Sequence, residues 1–262
     1  APLLEVLRDP APELRLEAML TLWMRYETET LPEAAGRAVL AAARDPNDAV
    51  RYYAVDRLRY LPGREAERAL LAAVGDASVG VRLRAVSLLA DAPVLNFEPA
   101  AMDALLPALR DDNAGVRVAA AGALGRCRDV RATAPLLDAL RDDDPYVRAA
   151  VVRALGTRRD ARITEALRRA AGDTDPLVRA AAAQALRPVT DPRAAETLVA
   201  LLQDHVEEVA LAAARSLARR GDVRVLEFLR TTLQLRDWTR VQAALEALEA
   251  LGAPAYPTLI AA

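Results

Sequence analysis

Between Asp142 and Gly156 the chain reads Asp-Asp-Asp-Pro-Tyr-Val-Arg-Ala-Ala-Val-Val-Arg-Ala-Leu-Gly. Val147, Val151, Ala154 and Leu155 lie at offsets 0, 4, 7 and 8, which places them on one face of an α-helix. Asp144 stands where an N-cap side chain accepts a hydrogen bond from a free backbone N–H. Pro145 at the first helical position gives up only an N–H that has no partner there. Gly156 follows the last apolar residue, where a helix tends to stop. A helix of roughly three turns is marginal alone, so this apolar stripe needs a neighbour to cover it.

The pattern recurs. Aligned on a Val-Arg pair, the copies are Leu14-Arg15, Val50-Arg51, Val81-Arg82, Val116-Arg117, Val147-Arg148, Val178-Arg179 and Val209-Ala210. Subtracting successive positions gives spacings of 36, 31, 35, 31, 31 and 31. Six residues before each arginine slot stands an aspartate: Asp9, Asp45, Asp76, Asp111, Asp142, Asp173 and Asp204. Asn47, Ser78, Asn113, Asp144 and Asp175, three before the valine slot, are all strong N-cap types. An eighth, degenerate copy runs from about Asp237 to Gly252, with its register left open by the pattern. Each copy follows a second apolar-periodic segment, such as 102–109, 134–140 and 196–202. The unit is therefore helix A, an aspartate turn, helix B and a loop. The B helices are predicted to start near residues 12, 48, 79, 114, 145, 176, 207 and 238. The expected fold is all-α: one α-solenoid over residues 1–262, a right-handed superhelix of about eight helix-turn-helix repeats.

The pattern Asp-x5-(Val-Arg)-x2-Ala-x2-Ala-Leu-Gly resembles HEAT repeats, in the short form also found in phycobilisome lyase subunits. The resemblance spans essentially the whole chain. It implies a structural ladder between neighbouring repeats, formed by Asp45, Asp76, Asp111, Asp142 and Asp173 with Arg51, Arg82, Arg117, Arg148 and Arg179. The residue pattern agrees, since these charges recur beside a core and a buried charge needs a partner. At Ala210 the arginine is missing, which predicts a looser joint.

Composition narrows the function. Hydrophobic residues make up 53% and aromatics 4%, so the core is alanine, leucine and valine. All 35 basic residues are arginine against 37 acidic ones, a net charge of −2 that gives no global pull toward nucleic acid or membrane. Residues 1–125 carry 14 Arg and 18 Asp/Glu; residues 126–262 carry 21 Arg and 19 Asp/Glu. The single Cys127 excludes an internal disulfide, and with the single His205 it excludes the usual zinc patterns. Cys127 reads as a small packed residue and His205 as a turn residue, and no cofactor is implied. The acidic run Asp142-Asp143-Asp144 fits a helix start, where carboxylates favour the dipole. No apolar run of about 18 residues and no signal peptide is present, so a cytoplasmic protein is expected. The chain starts with part of a helix A (Pro2 to Arg8) and ends inside another (Tyr256 to Ala262), as a segment of something longer would.

Candidate binding residues fall on the B helices, which in a solenoid line the concave side. Leu16, Leu20 and Trp23 lie opposite the helix A contact of the first copy, as packing at a capping end or as an apolar patch. Tyr52, Asp56 and Arg59 share a face of the second copy, with Arg84 near in the next repeat. Arg57 replaces a small residue, which predicts a displaced helix. In copies four to seven, Val118/Gly122, Ala149/Arg153, Ala180/Gln184 and Leu211/Arg215 point away from helix A. They predict an alanine-floored groove edged by Arg153, Gln184 and Arg215, with Arg187 and Arg219 nearby. The loops Glu27 to Glu33 and Asp91 to Pro99, the second carrying Phe97 and Glu98, project from one edge.

These features suit a non-catalytic scaffold that holds a partner protein or peptide on its concave face. No nucleophile–base pair, carboxylate cleft, phosphate loop or metal motif is present. Two alternatives remain. HEAT-like alkylpurine DNA glycosylases use an aromatic-x3-Asp pair similar to Tyr52-x3-Asp56, but this chain lacks the basic excess that phosphate binding needs. A tetrapyrrole lyase or chaperone subunit is suggested by the lyase resemblance alone.

Overall fold

The computed structural model describes residues 2–26, 31–91, 99–127, 129–158, 160–234 and 238–252. Residues 27–30 and 92–98 of the two long loops and the segment from Tyr256 lie outside those residues. Every regular element among the described residues is helical. The A helices are α1 (Pro2–Val6), α3 (Glu33–Ala42), α5 (Arg64–Ala73), α7 (Pro99–Ala108), α9 (Thr133–Ala139), α11 (Ala161–Ala170), α13 (Pro192–Leu201) and α15 (Leu226–Leu233). Alternating with them are the B helices α2 (Pro12–Arg25), α4 (Asp48–Arg57), α6 (Val79–Asp91), α8 (Ala114–Arg126), α10 (Pro145–Leu155), α12 (Pro176–Leu186), α14 (Glu207–Arg219) and α16 (Trp238–Leu251). The chain forms two compact units, residues 1–132 and 133–262, each an α-solenoid of stacked hairpins.

Four of the B-helix starts follow from side-chain capping. Asn47 Oδ1 accepts from Val50 N at 3.2 Å, Asn113 Oδ1 from Val116 N at 3.3 Å, and Asp175 Oδ1 from Leu177 N at 2.8 Å. Asp144 Oδ1 accepts from both Tyr146 N at 2.8 Å and Val147 N at 3.3 Å. Asp144→Ala is expected to lower stability by about 1 kcal/mol in urea unfolding, the usual worth of such a cap. Ser78 turns its hydroxyl to Asp48 of the preceding repeat at 3.2 Å.

Within each unit the B helices pack much more closely on one another than the A helices do. The sequence explains this. Where α10, α12 and α14 meet they present alanines, among them Ala149, Ala182 and Ala213, all fully buried. Without long side chains between them the backbones approach, and the valine slots Val147, Val178 and Val209 seal the interior toward the A layer.

Gly156 serves this packing rather than a left-handed stop. It sits at the C-cap of α10 with φ −61°, an ordinary helical value. A Cβ there would lie 2.7 Å from Ala185 Cβ and 3.0 Å from Ala185 Cα. Gly156→Ala should therefore cost about 1–3 kcal/mol through overpacking, read as a lowered urea midpoint. By contrast Gly221, φ 72°, does end a helix in left-handed conformation. Its N–H donates to Ala218 O at 2.9 Å and the N–H of Asp222 donates to Leu217 O at 3.0 Å, which closes the last turn of α14.

The eighth copy falls into register at the 31-residue period. Ala244 is fully buried as Ala213 is, and Glu246, 31 positions after Arg215, lies 4.0 Å from it. The joint after Ala210 carries no ladder arginine; Ala210 is itself buried, and α14 packs on α16 as closely as other B helices pack on each other.

Candidate protein-binding face

Along the aspartate turns runs a ladder of forked ion pairs. Arg15, Arg51, Arg82, Arg148 and Arg179 each aim Nε and Nη2 at the carboxylate of the next repeat, respectively Asp45, Asp76, Asp111, Asp173 and Asp204, at 2.6–2.9 Å. The ladder thus begins at Arg15 and reaches Asp204, one rung further at each end than the sequence suggested. Of the expected ladder residues, Arg117 belongs to the first unit and Asp142 to the second. Nη1 of each arginine turns back to its own aspartate turn, as Arg148 does to the carbonyls of Asp142 at 2.8 Å and Asp143 at 3.0 Å. Each aspartate in turn accepts a backbone N–H two residues on, as Asp173 does from Asp175.

All five carboxyls are held below the usual aspartate range. For Asp45, Asp76 and Asp173, burial pushes upward, and the arginine fork, the backbone N–H and the nearby positive charge together outweigh it. For Asp111 and Asp204 the arginine bond is the largest influence. The ladder is structural. Its donors and acceptors face one another and offer nothing to a ligand.

A second set of arginines was not visible in the sequence. Arg57, almost wholly buried, donates to the carbonyls of Trp23 at 3.1 Å and Tyr26 at 3.0 Å, at the end of α2. Arg126 reaches Ala90 O at 2.7 Å on α6, and Arg220 reaches Leu186 O at 3.2 Å and Arg187 O at 2.8 Å on α12. Each places a cation on the negative end of the preceding B helix. Arg57 also lies between the Trp23 and Tyr60 rings, 5.4 and 5.1 Å from their centroids. At Arg57 α4 ends and runs on as a 3-10 turn over Leu58–Tyr60.

The exposed B-layer residues are the candidate contacts. In the first unit Trp23 is engaged by Arg57, and Leu16 and Leu20 are half-buried; the exposed apolar side chains of α2 are Leu14 and Met24. Tyr52, partly exposed, meets Tyr53 edge to face at 5.3 Å. Asp56 is buried, contrary to the exposed cluster expected from helical spacing, because Arg84 of α6 folds over it. Arg84 Nε donates to Asp56 Oδ1 at 2.7 Å, its Nη2 binds the same oxygen, and Arg59 Nη2 lies 3.7 Å from it. The structure thus brings Tyr52, Asp56, Arg59 and Arg84 together.

In the second unit Arg153, Gln184 and Arg215 are exposed, one per B helix, with Arg187 and Arg219 exposed at helix ends. The groove floor differs from expectation. Ala149 is fully buried and Ala180 and Leu211 half-buried, because these positions lie between the tightly packed B helices. The face is a polar row over a closed alanine layer. The A layer of this unit holds a cavity of about 570 Å³ lined in part by Leu137, Leu140, Ala166 and Arg169. Its charges are largely matched, Arg162 by Asp160 at 2.7 Å and Arg169 by Glu165 at 3.3 Å. Cys127 is buried and His205 is exposed, its Nδ1 3.6 Å from Asp204. Among the described residues no group of three or more His, Cys, Asp or Glu side chains is placed to hold a metal, and no helix is long and apolar enough to cross a membrane.

The profile of HEAT repeats matches residues 81–144 and 133–218, together more than half of the chain. This chain belongs to the HEAT-repeat family. Its HEAT repeats resemble the X-ray structure of YibA from Escherichia coli, with 24% identity, TM-score 0.61, and 88% of this chain and 87% of that one covered. They also resemble a CpcE–CpcF complex of phycocyanin lyase from Nostoc, with 21% identity, TM-score 0.53, and 86% and 97% covered. An engineered protein gives 21% identity, TM-score 0.54, and 99% and 80% covered. At these identities the likeness carries the fold alone. No curated protein matches the chain.

Proposed function

We propose that this HEAT-repeat chain is a non-catalytic protein-interaction scaffold whose B-helix faces hold a partner protein or peptide. The observation that supports it most is the division of labour among its charges. Ladder and capping arginines are consumed by the fold, while a second class, Arg59, Arg84, Arg153, Arg187, Arg215 and Arg219, stands on the B layer. An exposed tyrosine and arginines on a rigid layer suit a protein contact, where such residues are enriched. Nucleic acid is a poorer match, because the chain as a whole carries more acid than base. Cross-linking of the purified full chain in cell extract should give partner proteins linked to α4, α6, α10, α12 or α14. Arg153→Glu with Arg215→Glu, or Tyr52→Ser, should weaken capture. Capture confined to A-layer residues and untouched by these substitutions overturns the proposal.

A further inference from the structure

The cluster around Asp56 is surplus to the fold. In the slot held by Arg84, three residues after the valine, four other copies carry Ala119, Ala150, Ala181 and Ala212. In the slot of Asp56 the next two copies carry Ser87 and Gly122, and in that of Arg59 they carry Ala90 and Gly125. The repeat closes without these charges, so the stacking of one B helix on the next does not require them.

Its wiring also differs from the ladder. A ladder aspartate spreads both oxygens over an arginine fork and a backbone N–H, and the arginine's last nitrogen is used on turn carbonyls. At Asp56 both arginines bear on Oδ1. Two cations against one carboxylate leave one positive charge in excess. The site is open, since the Arg59 and Arg84 side chains are 37% and 29% exposed. On the same two B helices, Tyr52 and Leu83 are each 37% exposed, and Tyr52 leans toward Gly80 of the next B helix, where a Cβ would lie 3.9 Å from its Cδ2.

We infer that this face of the first unit docks a partner-protein segment that carries a carboxylate beside an apolar side chain. The carboxylate completes the pairing of Arg59 and Arg84, and the apolar group lies against Tyr52 and Leu83. This rests on the scaffold reading and names the chemistry of its partner. A single carboxylate supplies the one charge that is missing. A polyanion would bring many more to a region, residues 1–125, that has 14 Arg against 18 Asp/Glu.

Panning a random dodecapeptide display library on the full chain, followed by calorimetry of the enriched peptides, tests the inference. The enriched peptides should carry Asp or Glu next to Leu, Phe or Trp. Changing that acid to its amide, or Arg59→Gln in the protein, should weaken binding about tenfold or more, as loss of a charge-assisted bond does. Arg84→Ala should do the same, and the exposed Arg59→Gln guards against misfolding as the cause. Enrichment of basic or acid-free peptides, or acidic peptides indifferent to Arg59→Gln but released by Arg153→Glu with Arg215→Glu, overturns this inference and leaves the scaffold reading standing. Enrichment of no peptide, with salt-sensitive binding of duplex DNA instead, overturns both.

Discussion

Arg179→Ala is expected to lower folding stability by about 3–5 kcal/mol, the usual loss when one partner of a buried ion pair is removed. This rung is the most enclosed of the five rungs described, with both side chains only 7% exposed. The guanidinium makes two bonds to Asp204, at 2.7 and 2.8 Å, and two more to the carbonyls of Asp173 and Thr174, both at 3.0 Å. Alanine leaves a buried carboxylate without its cation and a turn without two of its donors. Lysine should recover little, since an ammonium cannot reproduce a fork that meets two oxygens and two carbonyls at once. In a repeat array the damage stays local. Hydrogen exchange should quicken mainly over α12 to α14, with urea unfolding giving the total. A loss below about 1 kcal/mol, the level of an exposed pair, would contradict the enclosure described.

Acid should unfold the chain cooperatively below about pH 4, near the ordinary aspartate pKa. The sign follows from the carboxyl positions. Asp45, Asp76, Asp111, Asp173 and Asp204 all titrate lower in the folded chain than in an unfolded one. Between the two pKa values the unfolded state binds more protons, so stability falls as pH falls. The contribution is complete above the unfolded value and disappears as pH drops through the depressed ones. At the same time 35 arginines remain charged while 37 carboxylates are neutralised, which adds self-repulsion. Helical circular dichroism should hold steady from pH 8 to 5 and then fall steeply. Added salt should recover only the repulsive part, because enclosed pairs are poorly screened. Helical signal undiminished at pH 2 would contradict a ladder of depressed carboxyls.

The fold was legible because a 31-residue period repeats its own punctuation. Asn47, Asn113, Asp144 and Asp175 cap at the same offset, and the ladder residues recur with them. What escaped the sequence has no such offset. Arg57, Arg126 and Arg220 do the same job at 7, 10 and 11 residues after Val50, Val116 and Val209, because each B helix ends at a different place and a long side chain absorbs the difference. The candidate site was partly legible. Helical spacing placed Tyr52, Asp56 and Arg59 on one face and Arg84 near it. It could not show that Arg84 covers Asp56, since coverage depends on a neighbouring helix. The expected groove floor failed for a related reason. Alanine invites close approach, and close approach buries the position that was to be the floor.

Each rung of the ladder joins an arginine of one repeat to the aspartate of the next, and the repeats of Asp45, Asp76 and Asp173 each carry both. Plug and socket therefore travel together on one 31-residue segment. A duplicated segment spliced in at a loop would connect on both sides without any new contact having to be invented. Such a chain can lengthen by copying itself, and only its two outermost repeats need be unlike the others. An added copy of residues 142–172, placed directly after 172, should fold as one more layer.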